Sequence, residues 1–394
     1  MKVLFYSYKS CYSGKSYGGA ERSMTLLAES LVHLDCEVHY LSGVDNVRFS
    51  FPKIDFKNGV IVHFLPIFRL PFMSISFIRK LSELIRTRIF YSYMSLKFRD
   101  FNIVCVCNEY PALYQMVNWR VSNKLKCRIV YRTAGLYWHN NILKNYPFLR
   151  EKIEWSFNYV DSVNFISQEM KRSFLKIKDK HYYDFDLMDQ FILDIGVKFN
   201  SKNTWVVNGE SPYTIVMVAR FSDYAKRQDV LMEAFRIWNN SNSRLIFFGD
   251  GPMLDHYKKI INNDLFLSEH VELRGFVEPV KVKEQLLKAH LFALCTDYEG
   301  VPKSVLEAMS IGIPVLVSDI EAHNSIIEHG ENGFVASNVP ELWKEELSRI
   351  YELTSDQLSL ISKNAMFYIQ SHHSLENSAN KYLSEFKRIV DLPR

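Results

Sequence analysis

Short apolar runs with strand character alternate with stretches of helical periodicity along most of this 394-residue chain. One series starts with residues 2–8, which read as a strand, and residues 21–34, whose apolar residues recur at helical spacing. A second series starts at residues 214–219, after a polar stretch at residues 199–212 that reads as a linker. Parallel strands need crossover connections, which are usually helices, so the alternation predicts two parallel α/β domains in tandem. We expect a site in the cleft between them, at the carboxyl ends of the strands.

Composition and charge exclude several classes of protein. The hydrophobic fraction of 47% is ample for packed cores. No charge-free apolar run reaches the roughly 18 residues of a membrane-spanning helix. The net charge of +4 is too small for general nucleic-acid binding. The first residues have no signal-peptide pattern, and the six cysteines show neither a C-x-x-C pair nor a zinc spacing. We therefore expect a cytoplasmic protein with free thiols.

Positive charge is concentrated in the segment from about residue 64 to residue 99. Residues 64–100 hold seven Lys or Arg against two acidic residues, and Phe77, Leu81 and Leu84 recur among them at helical spacing. A basic, aromatic-rich amphipathic helix can lie at an anionic bilayer surface. The alternative is a helix that packs on its own sheet with a solvated basic face. The segment thus predicts a peripheral contact with the inner face of the cytoplasmic membrane, with ordinary packing as the alternative.

A glycine-bearing turn follows the first predicted strand. Residues 13–16 (Ser-Gly-Lys-Ser) look like the end of a P-loop, but that motif requires a glycine where Lys9 stands, so a Walker motif is excluded. Gly18 and Gly19 stand directly before a predicted helix. Glycine there lets a ligand approach the backbone, and a helix N-terminus favours an anion. An ordinary flexible turn is the alternative.

Cations and glycines follow two strands of the second series. Arg220 directly follows residues 214–219, and Lys226 and Arg227 come shortly after it. Cations at the carboxyl edge of a parallel sheet are placed to neutralise a phosphate, although a solvated basic turn would look the same. Gly249 ends another strand and allows a tight turn near a ligand, a pattern that recurs in many α/β proteins.

The strongest local pattern is a strand, a loop and a helix start around Glu299. Glu299 and Gly300 lie in the loop, and the helix begins close to Ser304. The N–H groups of Ser304 and Val305 would be exposed there for a phosphate, and Glu307 could accept paired hydrogen bonds from vicinal hydroxyls. The alternatives are a carboxylate that complements the helix dipole and a solvated loop charge.

Taken together, these pieces resemble glycosyltransferase family 4, the retaining enzymes of GT-B architecture, over almost the whole chain. Residues 18–22 read Gly-Gly-Ala-Glu-Arg, and seven residues separate Glu299 from Glu307. Residues 306–315 then read Leu-Glu-Ala-Met-Ser-Ile-Gly-Ile-Pro-Val, and residues 328–334 read Glu-His-Gly-Glu-Asn-Gly-Phe. The order and spacing of these pieces carry the resemblance.

The resemblance implies two Rossmann-like parallel-sheet domains facing across a cleft. Residues 1–205 would bind the acceptor and residues 206–370 the nucleotide sugar. A helix in residues 371–394 would cross back to the N-terminal domain.

Roles for single residues also follow from the resemblance. Arg220 and Lys226 would hold the donor's diphosphate and act in catalysis, together with Glu299, which would contact the transferred sugar. The residues assigned to donor binding are Gly18, Gly19, Gly249, Val277, Glu299, Gly300, Ser304, Val305 and Glu307. No metal and no cofactor beyond the nucleotide diphosphate sugar as co-substrate is expected.

Two departures from the family pattern bear on the site. The family often carries a histidine after a middle strand of the N-terminal domain, and that place holds Arg132 here, with His139 a few residues later. His139 and Arg132 are therefore the candidates for the histidine's role. Arg220 and Lys226 stand one residue further apart than the commonest spacing, so Arg227 is a candidate to share the lysine's role.

The resemblance implies a metal-independent, retaining hexosyltransferase that takes sugar from a UDP- or GDP-sugar. Its acceptor would be a glycan or lipid-linked glycan, in the biosynthesis of a surface polysaccharide such as lipopolysaccharide or capsule. A nucleotide-sugar epimerase of the same architecture is one alternative, against which Glu299 and Glu307 argue. A non-catalytic sugar-nucleotide-binding subunit is the other, and the missing histidine keeps it open.

Overall fold

In the computed structural model the described residues are 1–7, 10–13, 19–44, 53–66, 76–134, 150–176, 188–198, 204–207, 209, 212–221 and 225–393. The chain divides into two compact units. Unit 1 comprises Met1–Ile195 with Leu375–Arg394, and unit 2 comprises Gly196–Ser374. The predicted boundaries after residues 205 and 370 thus differ from those observed, after 195 and 374. Trp205 accounts for the first difference, because it is buried in the core of unit 2 and its indole N–H donates to the carbonyl of Ala289 at 2.6 Å.

The described strands of unit 1 form one sheet. In chain order they are β1 (Lys2–Ser7), β2 (Glu37–Val44), β3 (Lys53–Lys57), β4 (Val60–Pro66), β5 (Ile103–Cys107), β6 (Arg128–Thr133), β7 (Ser162–Phe165) and β8 (Asp189–Ile192). Across the sheet the order is β3-β4-β2-β1-β5-β6-β7-β8, and neighbours are parallel except β3 and β4. A strand such as β5 is buried along its whole length, as expected where helices cover both faces of a parallel sheet.

The antiparallel edge strand β3 departs from the parallel sheet that the sequence predicts. Asn58 and Gly59 join β3 to β4 with φ angles of 48° and 80°, the left-handed pair of a two-residue hairpin turn. A Cβ on Gly59 would lie 2.6 Å from Cγ1 of Val32, so this position also requires glycine for space.

Helices connect the strands of unit 1. Among the described residues, the α-helices that precede unit 2 are α1 (Gly19–Val32), α2 (Ser76–Lys97), α3 (Tyr110–Ser122), α4 (Arg150–Phe157) and α5 (Gln168–Lys176). Helix α1 buries Met24, Leu27 and Leu31, which recur at the three- and four-residue spacing of one helix face. None of the helices within the described ranges is long and apolar enough to cross a membrane.

Unit 2 is built on a second sheet, whose described neighbours are all parallel. Its strands are β9 (Tyr213–Val218), β10 (Ser243–Phe248), β11 (Val271–Leu273), β12 (Leu291–Leu294), β13 (Val315–Ser318) and β14 (Phe334–Ala336). Their order across the sheet is β11-β10-β9-β12-β13-β14. The helices are α6 (Gln228–Trp238), α7 (Leu254–Asn262), α8 (Leu265–His270), α9 (Pro279–Leu286), α10 (Lys303–Ile311), α11 (Glu321–Asn324), α12 (Pro340–Tyr351) and α13 (Ser355–His372). Two units with mainly parallel sheets confirm the predicted α/β class.

The last helix, α14 (Leu375–Val390), belongs to unit 1 although it follows unit 2 in the chain. Tyr382, Phe386 and Ile389 are fully buried in the same core as residues of α1. The guanidinium of Arg388 holds both carboxylate oxygens of Asp189 at 2.7 and 2.8 Å. Packing and charge therefore both attach α14 to unit 1.

Candidate functional site

The carboxyl edge of the unit 2 sheet brings together several residues that the sequence singled out. Strand β9 lies between β10 and β12, so the chain winds to one side of β9 and later to the other. Ligands of open α/β sheets bind at such a switch point, outside the carboxyl ends of the strands. Arg220 follows β9 at this edge, and Glu299 follows β12.

Lys226 and Glu299 form an ion pair at this edge, although they stand 73 residues apart in the chain. The ammonium of Lys226 donates to Oε1 of Glu299, and the two side chains are 17% and 15% exposed. Their backbones are brought together by an isolated bridge between Lys226 and Thr296. A pair this well buried interacts more strongly than a surface pair. The two predicted catalytic residues thus share one contact.

The loop after β12 is fixed by a buried polar network. The N–H of Thr296 donates to Oγ of Ser318 at 2.7 Å, and that hydroxyl donates to Oδ1 of Asn338 at 2.6 Å. The amide of Asn338 returns to the carbonyl of Thr296 at 2.9 Å and to Asp297 at 2.7 Å. The ends of β12 and β13 are therefore held to one another just before Glu299.

Arg220 is exposed and lies two residues past the end of β9. Its carbonyl accepts a hydrogen bond of 3.0 Å from Nε2 of Gln228, a buried residue at the start of α6. Gln228 thus fixes the backbone from which the guanidinium of Arg220 extends.

The guanidinium of Arg227 forms ion pairs with two carboxylates. It contacts Asp229 at 2.9 Å and Asp297 at 3.2 Å. The hydrogen bonds from Asp229, and then those from Asp297, raise the pKa of Arg227 above its usual range. Like Lys226, Arg227 is paired with carboxylates in this structure, so its candidacy to share the role of Lys226 stays a prediction.

The first turn of α10 offers fewer free N–H groups than the sequence predicts. The N–H of Val305 donates to the carbonyl of Pro302 at 3.0 Å, so a phosphate would have to displace this bond, and the role of Val305 in donor binding stays a prediction. The N–H of Ser304 has no backbone acceptor within the described residues. Glu307 is half-buried one turn further along α10.

Gly249 has a structural reason to be glycine. Its φ is 139°, and a Cβ there would lie 1.9 Å from the carbonyl oxygen of Ala219. Its N–H donates to the carbonyl of Gly275 at 2.8 Å, which ties the loops after β10 and β11 together. Val277 follows in the second loop and packs partly against the core of unit 2, and Gly300 is half-buried beside Glu299.

His323 is a residue of this edge that sequence reasoning missed. It lies in α11, directly after β13, and is fully buried. Burial and, less strongly, the charge of Lys226 lower its pKa to about 4, against the opposing effect of the hydrogen bond to Ser318. The available signal was its position, a histidine soon after a strand of the second series.

The site candidates in unit 1 are two glycines, a histidine and an arginine, and the structure describes two of the four. Gly19 starts α1, and a Cβ there would meet nothing within 4 Å. Gly18 and His139 lie outside the described residues. Arg132 is fully buried, and its guanidinium contacts the hydroxyl of Tyr382 at 3.3 Å and Asp194 at 3.6 Å. Arg132 therefore contacts polar groups inside the core of unit 1. It is not accessible to a sugar, which corrects its assignment as a site candidate.

No group of three His, Cys, Asp or Glu side chains suited to a metal ion occurs in the part of the chain that the structure describes. The six cysteines are free thiols, five of them buried.

Comparison with known proteins gives the same family over both units. The model described as Glycosyltransferase Family 4 matches residues 17–181, and the model described as Glycosyl transferases group 1 matches residues 201–366. N-acetyl-alpha-D-glucosaminyl L-malate synthase of Bacillus anthracis is 23% identical over 332 residues, 83% of this chain and 82% of that protein.

A second relative matches a shorter stretch. The UDP-Gal:alpha-D-GlcNAc-diphosphoundecaprenol alpha-1,3-galactosyltransferase of Escherichia coli is 30% identical over 126 residues, 31% of either chain. Among solved structures, Anabaena Alr3699/HepE in complex with UDP and glucose superposes with a TM-score of 0.70 at 16% identity. That match covers 98% of this chain and 100% of the other. This chain belongs to glycosyltransferase family 4 and has the GT-B fold, with two parallel-sheet α/β domains.

Proposed function

We propose that this protein is a retaining, metal-independent hexosyltransferase. Its donor is a UDP- or GDP-sugar, and its acceptor is a glycan or lipid-linked glycan of a surface polysaccharide such as lipopolysaccharide or capsule. The observation that carries the proposal is the convergence of Arg220, the Lys226–Glu299 pair and the start of α10 with Glu307 at one sheet edge.

Two of the similar proteins support the choice of donor and acceptor. The Escherichia coli relative is named for a UDP-linked galactose and a diphosphoundecaprenol acceptor, and the Anabaena structure holds UDP. A lipid-linked acceptor would place the reaction at the inner face of the cytoplasmic membrane.

Sugar transfer from a nucleotide diphosphate sugar requires that the leaving diphosphate be stabilised. As the bond from the anomeric carbon to the phosphate oxygen breaks, negative charge grows on that oxygen, and the bond from the acceptor oxygen to the same carbon forms on the same face. The acceptor's proton passes to the departing phosphate oxygen. Arg220 and Lys226 supply fixed positive charge, and the Ser304 N–H adds the positive end of α10.

The carboxylates of the site have binding roles in this scheme. Glu307 would accept hydrogen bonds from the ribose hydroxyls, since its half-buried position on α10 limits competition from water. Glu299 would orient a hydroxyl of the transferred sugar and, in this proposal, release Lys226 to the diphosphate. Donor binding therefore exchanges the internal ion pair for two contacts with the ligand.

A thermal-shift panel of UDP, GDP, ADP, CMP and their common sugars tests the donor site. We expect one diphosphate to stabilise the wild type, by about 2.7 kcal/mol at a hundred times its dissociation constant. Glu307→Ala should lose the shift, and Glu352→Ala, a matched change of an exposed glutamate on α12's C-terminal side, should keep it. If none of the nucleotides stabilises the wild type, the proposed function is refuted.

The same panel separates the alternatives. Binding of a nucleotide sugar without transfer to any of a set of acceptors would favour a non-catalytic binding subunit. Conversion of the bound sugar to its epimer without an acceptor would favour an epimerase.

We also propose that unit 1 contacts anionic lipid through α2. Phe77 is 72% exposed and Leu84 is 52% exposed, and with Leu81 they form an apolar row on the outer side of the helix. Lys80 and Arg88 are exposed near this row. An apolar row flanked by cations suits the interface of an anionic bilayer. Phe64, at the start of the predicted basic segment, lies in β4, and residues 67–75 of that segment lie outside the described residues, so the proposed contact is argued for α2 alone.

Flotation with vesicles of phosphatidylglycerol and phosphatidylcholine tests the contact. The double change Phe77→Ser and Leu84→Ser should lower the bound fraction about tenfold, because two apolar side chains no longer enter the interface. Leu360→Ser with Phe367→Ser, which are exposed on α13 of unit 2, is the matched control. Equal loss in both double variants, or binding unaffected by removing the anionic lipid, would refute the contact.

A further inference from the structure

A buried nitrogen without a partner lies at the proposed donor edge. Nδ1 of His323 is 2.8 Å from the carbonyl oxygen of Ser318. A carbonyl can only accept, so Nδ1 carries the hydrogen and Nε2 carries the lone pair. Nε2 is buried and has no hydrogen-bond partner among the residues that the structure describes. A buried acceptor left unpaired costs free energy, so this one calls for an explanation.

The polar network connects His323 to Lys226. The carbonyl of Ser318 accepts from His323, and the hydroxyl of Ser318 accepts from the N–H of Thr296 at 2.7 Å. Thr296 is in turn the bridge partner of Lys226. Lys226 is also close enough for its charge to contribute to the lowered pKa of His323, so the imidazole stays neutral and keeps its lone pair at neutral pH.

Ligand binding changes which hydrogen-bond acceptors are available to the ammonium of Lys226. Its ammonium has three N–H donors, and one of them now serves Glu299. When a diphosphate oxygen accepts one N–H of Lys226 and a sugar takes Glu299, the ammonium loses Glu299 as an acceptor for its other N–H groups inside a largely buried site. The neutral imidazole of His323 can replace Glu299 as an acceptor without adding charge that would compete with the phosphate.

We propose that His323 is a positioning residue for Lys226, whose Nε2 accepts an N–H of the ammonium once the Lys226–Glu299 pair opens around the donor. The proposal rests on the proposed function for the identity of the ligand. It assigns His323 no contact with the sugar or the nucleotide.

Two isosteric substitutions separate this role from a merely structural one. The amide of asparagine reaches the place of Nδ1, so His323→Asn keeps the bond to Ser318 and removes the acceptor at Nε2. The amide of glutamine reaches the place of Nε2, so His323→Gln keeps an acceptor there and removes the bond to Ser318. A structural role for His323 predicts that Asn is tolerated and Gln is not, and the positioning role predicts the reverse for ligand affinity.

Affinity for UDP and for GDP, measured by calorimetry, gives the first readout. His323→Asn should melt close to the wild type without ligand yet bind the preferred nucleotide about tenfold or more weakly, since one hydrogen bond to a charged group is lost. His323→Gln should recover most of that affinity. Wild-type affinity in His323→Asn would overturn the proposal.

A second readout needs no ligand. The ring of His323 can be titrated by NMR in the full-length protein, where Lys226→Met should raise its pKa because a nearby cation is removed. Lys258→Met, a matched change of an exposed lysine on α7, should leave the titration unchanged. No response to Lys226→Met would overturn the proposal. If neither nucleotide binds the wild type, the proposed function fails, and this titration still decides whether His323 and Lys226 interact.

Discussion

At the scale of single residues, charge at the unit 2 edge is balanced by internal pairing. Lys226 is neutralised by Glu299, and Arg227 by Asp229 and Asp297. Arg220 is the exposed cation of this group. In the proposed function, a ligand phosphate would meet Arg220 first and would displace Glu299 to engage Lys226.

Lys226→Met should lower the rate of sugar transfer about 10²- to 10³-fold, the usual cost of removing one preorganised donor to a developing anion. Turnover of the preferred nucleotide sugar gives the measurement. Arg236→Met is a suitable control, because Arg236 is a surface cation on α6 paired with Glu233. A loss below about threefold, within what surface changes produce, would remove Lys226 from the reaction.

Gly249→Ala should destabilise unit 2 by about 2 kcal/mol or more, because the new Cβ would meet the carbonyl oxygen of Ala219 at 1.9 Å and φ would be strained. Gly209→Ala is the control, since a Cβ there meets nothing within 4 Å. Denaturant unfolding of both variants gives the comparison. Equal midpoints would mean that Gly249 is retained for a ligand and not for packing.

Spacing along the chain identifies candidate residues but not their partners. The seven residues between Glu299 and Glu307 are visible in the sequence, because one strand-loop-helix unit contains both. The contact of Glu299 with Lys226 is not visible, because it depends on β9 and β12 being neighbours. The contact of Arg132 with Tyr382 is not visible in the sequence either, because only the return of α14 brings Tyr382 to it. From the sequence alone, Arg132 is therefore a site candidate.

At the scale of elements, α2 is held to the sheet by a chain of hydrogen bonds. The carboxylate of Glu37 accepts from Nε2 of His39 at 3.2 Å, and Nδ1 of His39 then accepts from Nε2 of His63 at 2.8 Å. Nδ1 of His63 accepts from the hydroxyl of Tyr93 on α2 at 2.7 Å. Every hydrogen in this chain has a partner when both rings are neutral. A proton added to Nδ1 of His39 would face the N–H of His63, and one added to Nδ1 of His63 would face the hydroxyl that now donates to it.

Acid should therefore weaken unit 1. Burial, then the charges of His39 and Lys97, lower the pKa of His63 to about 4, and burial also lowers the pKa of His39, against the effect of Glu37. Lys2 adds a further positive charge near His39. The folded form binds fewer protons than the unfolded chain, so the stabilisation is present above pH 6.5 and is lost as the pH falls toward 4. The loss is about 3 kcal/mol for His63.

The free energy of unfolding, measured across that pH range for the wild type and for His63→Gln, tests the predicted loss of stability in acid. The substitution should reduce the slope of the free energy of unfolding against pH, although it lowers stability at neutral pH by removing a buried partner of Tyr93. An unchanged slope would show that the histidine pair does not control acid stability.

The elements themselves were largely visible in the sequence. Buried parallel strands such as β5 and β12 are short apolar runs, and α1 carries a regular apolar row, so local pattern was sufficient. The β3–β4 hairpin was missed, although Asn58-Gly59 is a strong turn signal. Strand β3 is largely exposed and lacks an apolar run, so only its turn marked it.

At the scale of the whole molecule, unit 1 is discontinuous. Its sheet and first helices come from Met1–Ile195, and its last helix comes from Leu375–Arg394, after unit 2 is complete. Helix α14 supplies fully buried side chains and the partners of Arg132 and Asp189.

Truncation after Ser374 should unfold unit 1 and spare unit 2. Removing α14 opens the core at Tyr382, Phe386 and Ile389, at about 1.5–3 kcal/mol for each lost side chain, and leaves Arg132 buried without its hydroxyl partner. Limited proteolysis should then yield a resistant fragment close to Gly196–Ser374. Lys381→Ala, an exposed change within α14, is the control. Equal resistance of both units in the truncated chain would show that α14 is dispensable.

This connectivity also sets the order in which the protein can be completed during synthesis. Unit 2 is contiguous in the chain, so its last residue emerges from the ribosome before the helix that unit 1 still lacks. The part of the unit 1 core that Tyr382, Phe386 and Ile389 fill stays open until α14 has been synthesised. Domains generally fold as units as they emerge, so unit 2 can fold before the core of unit 1 is complete.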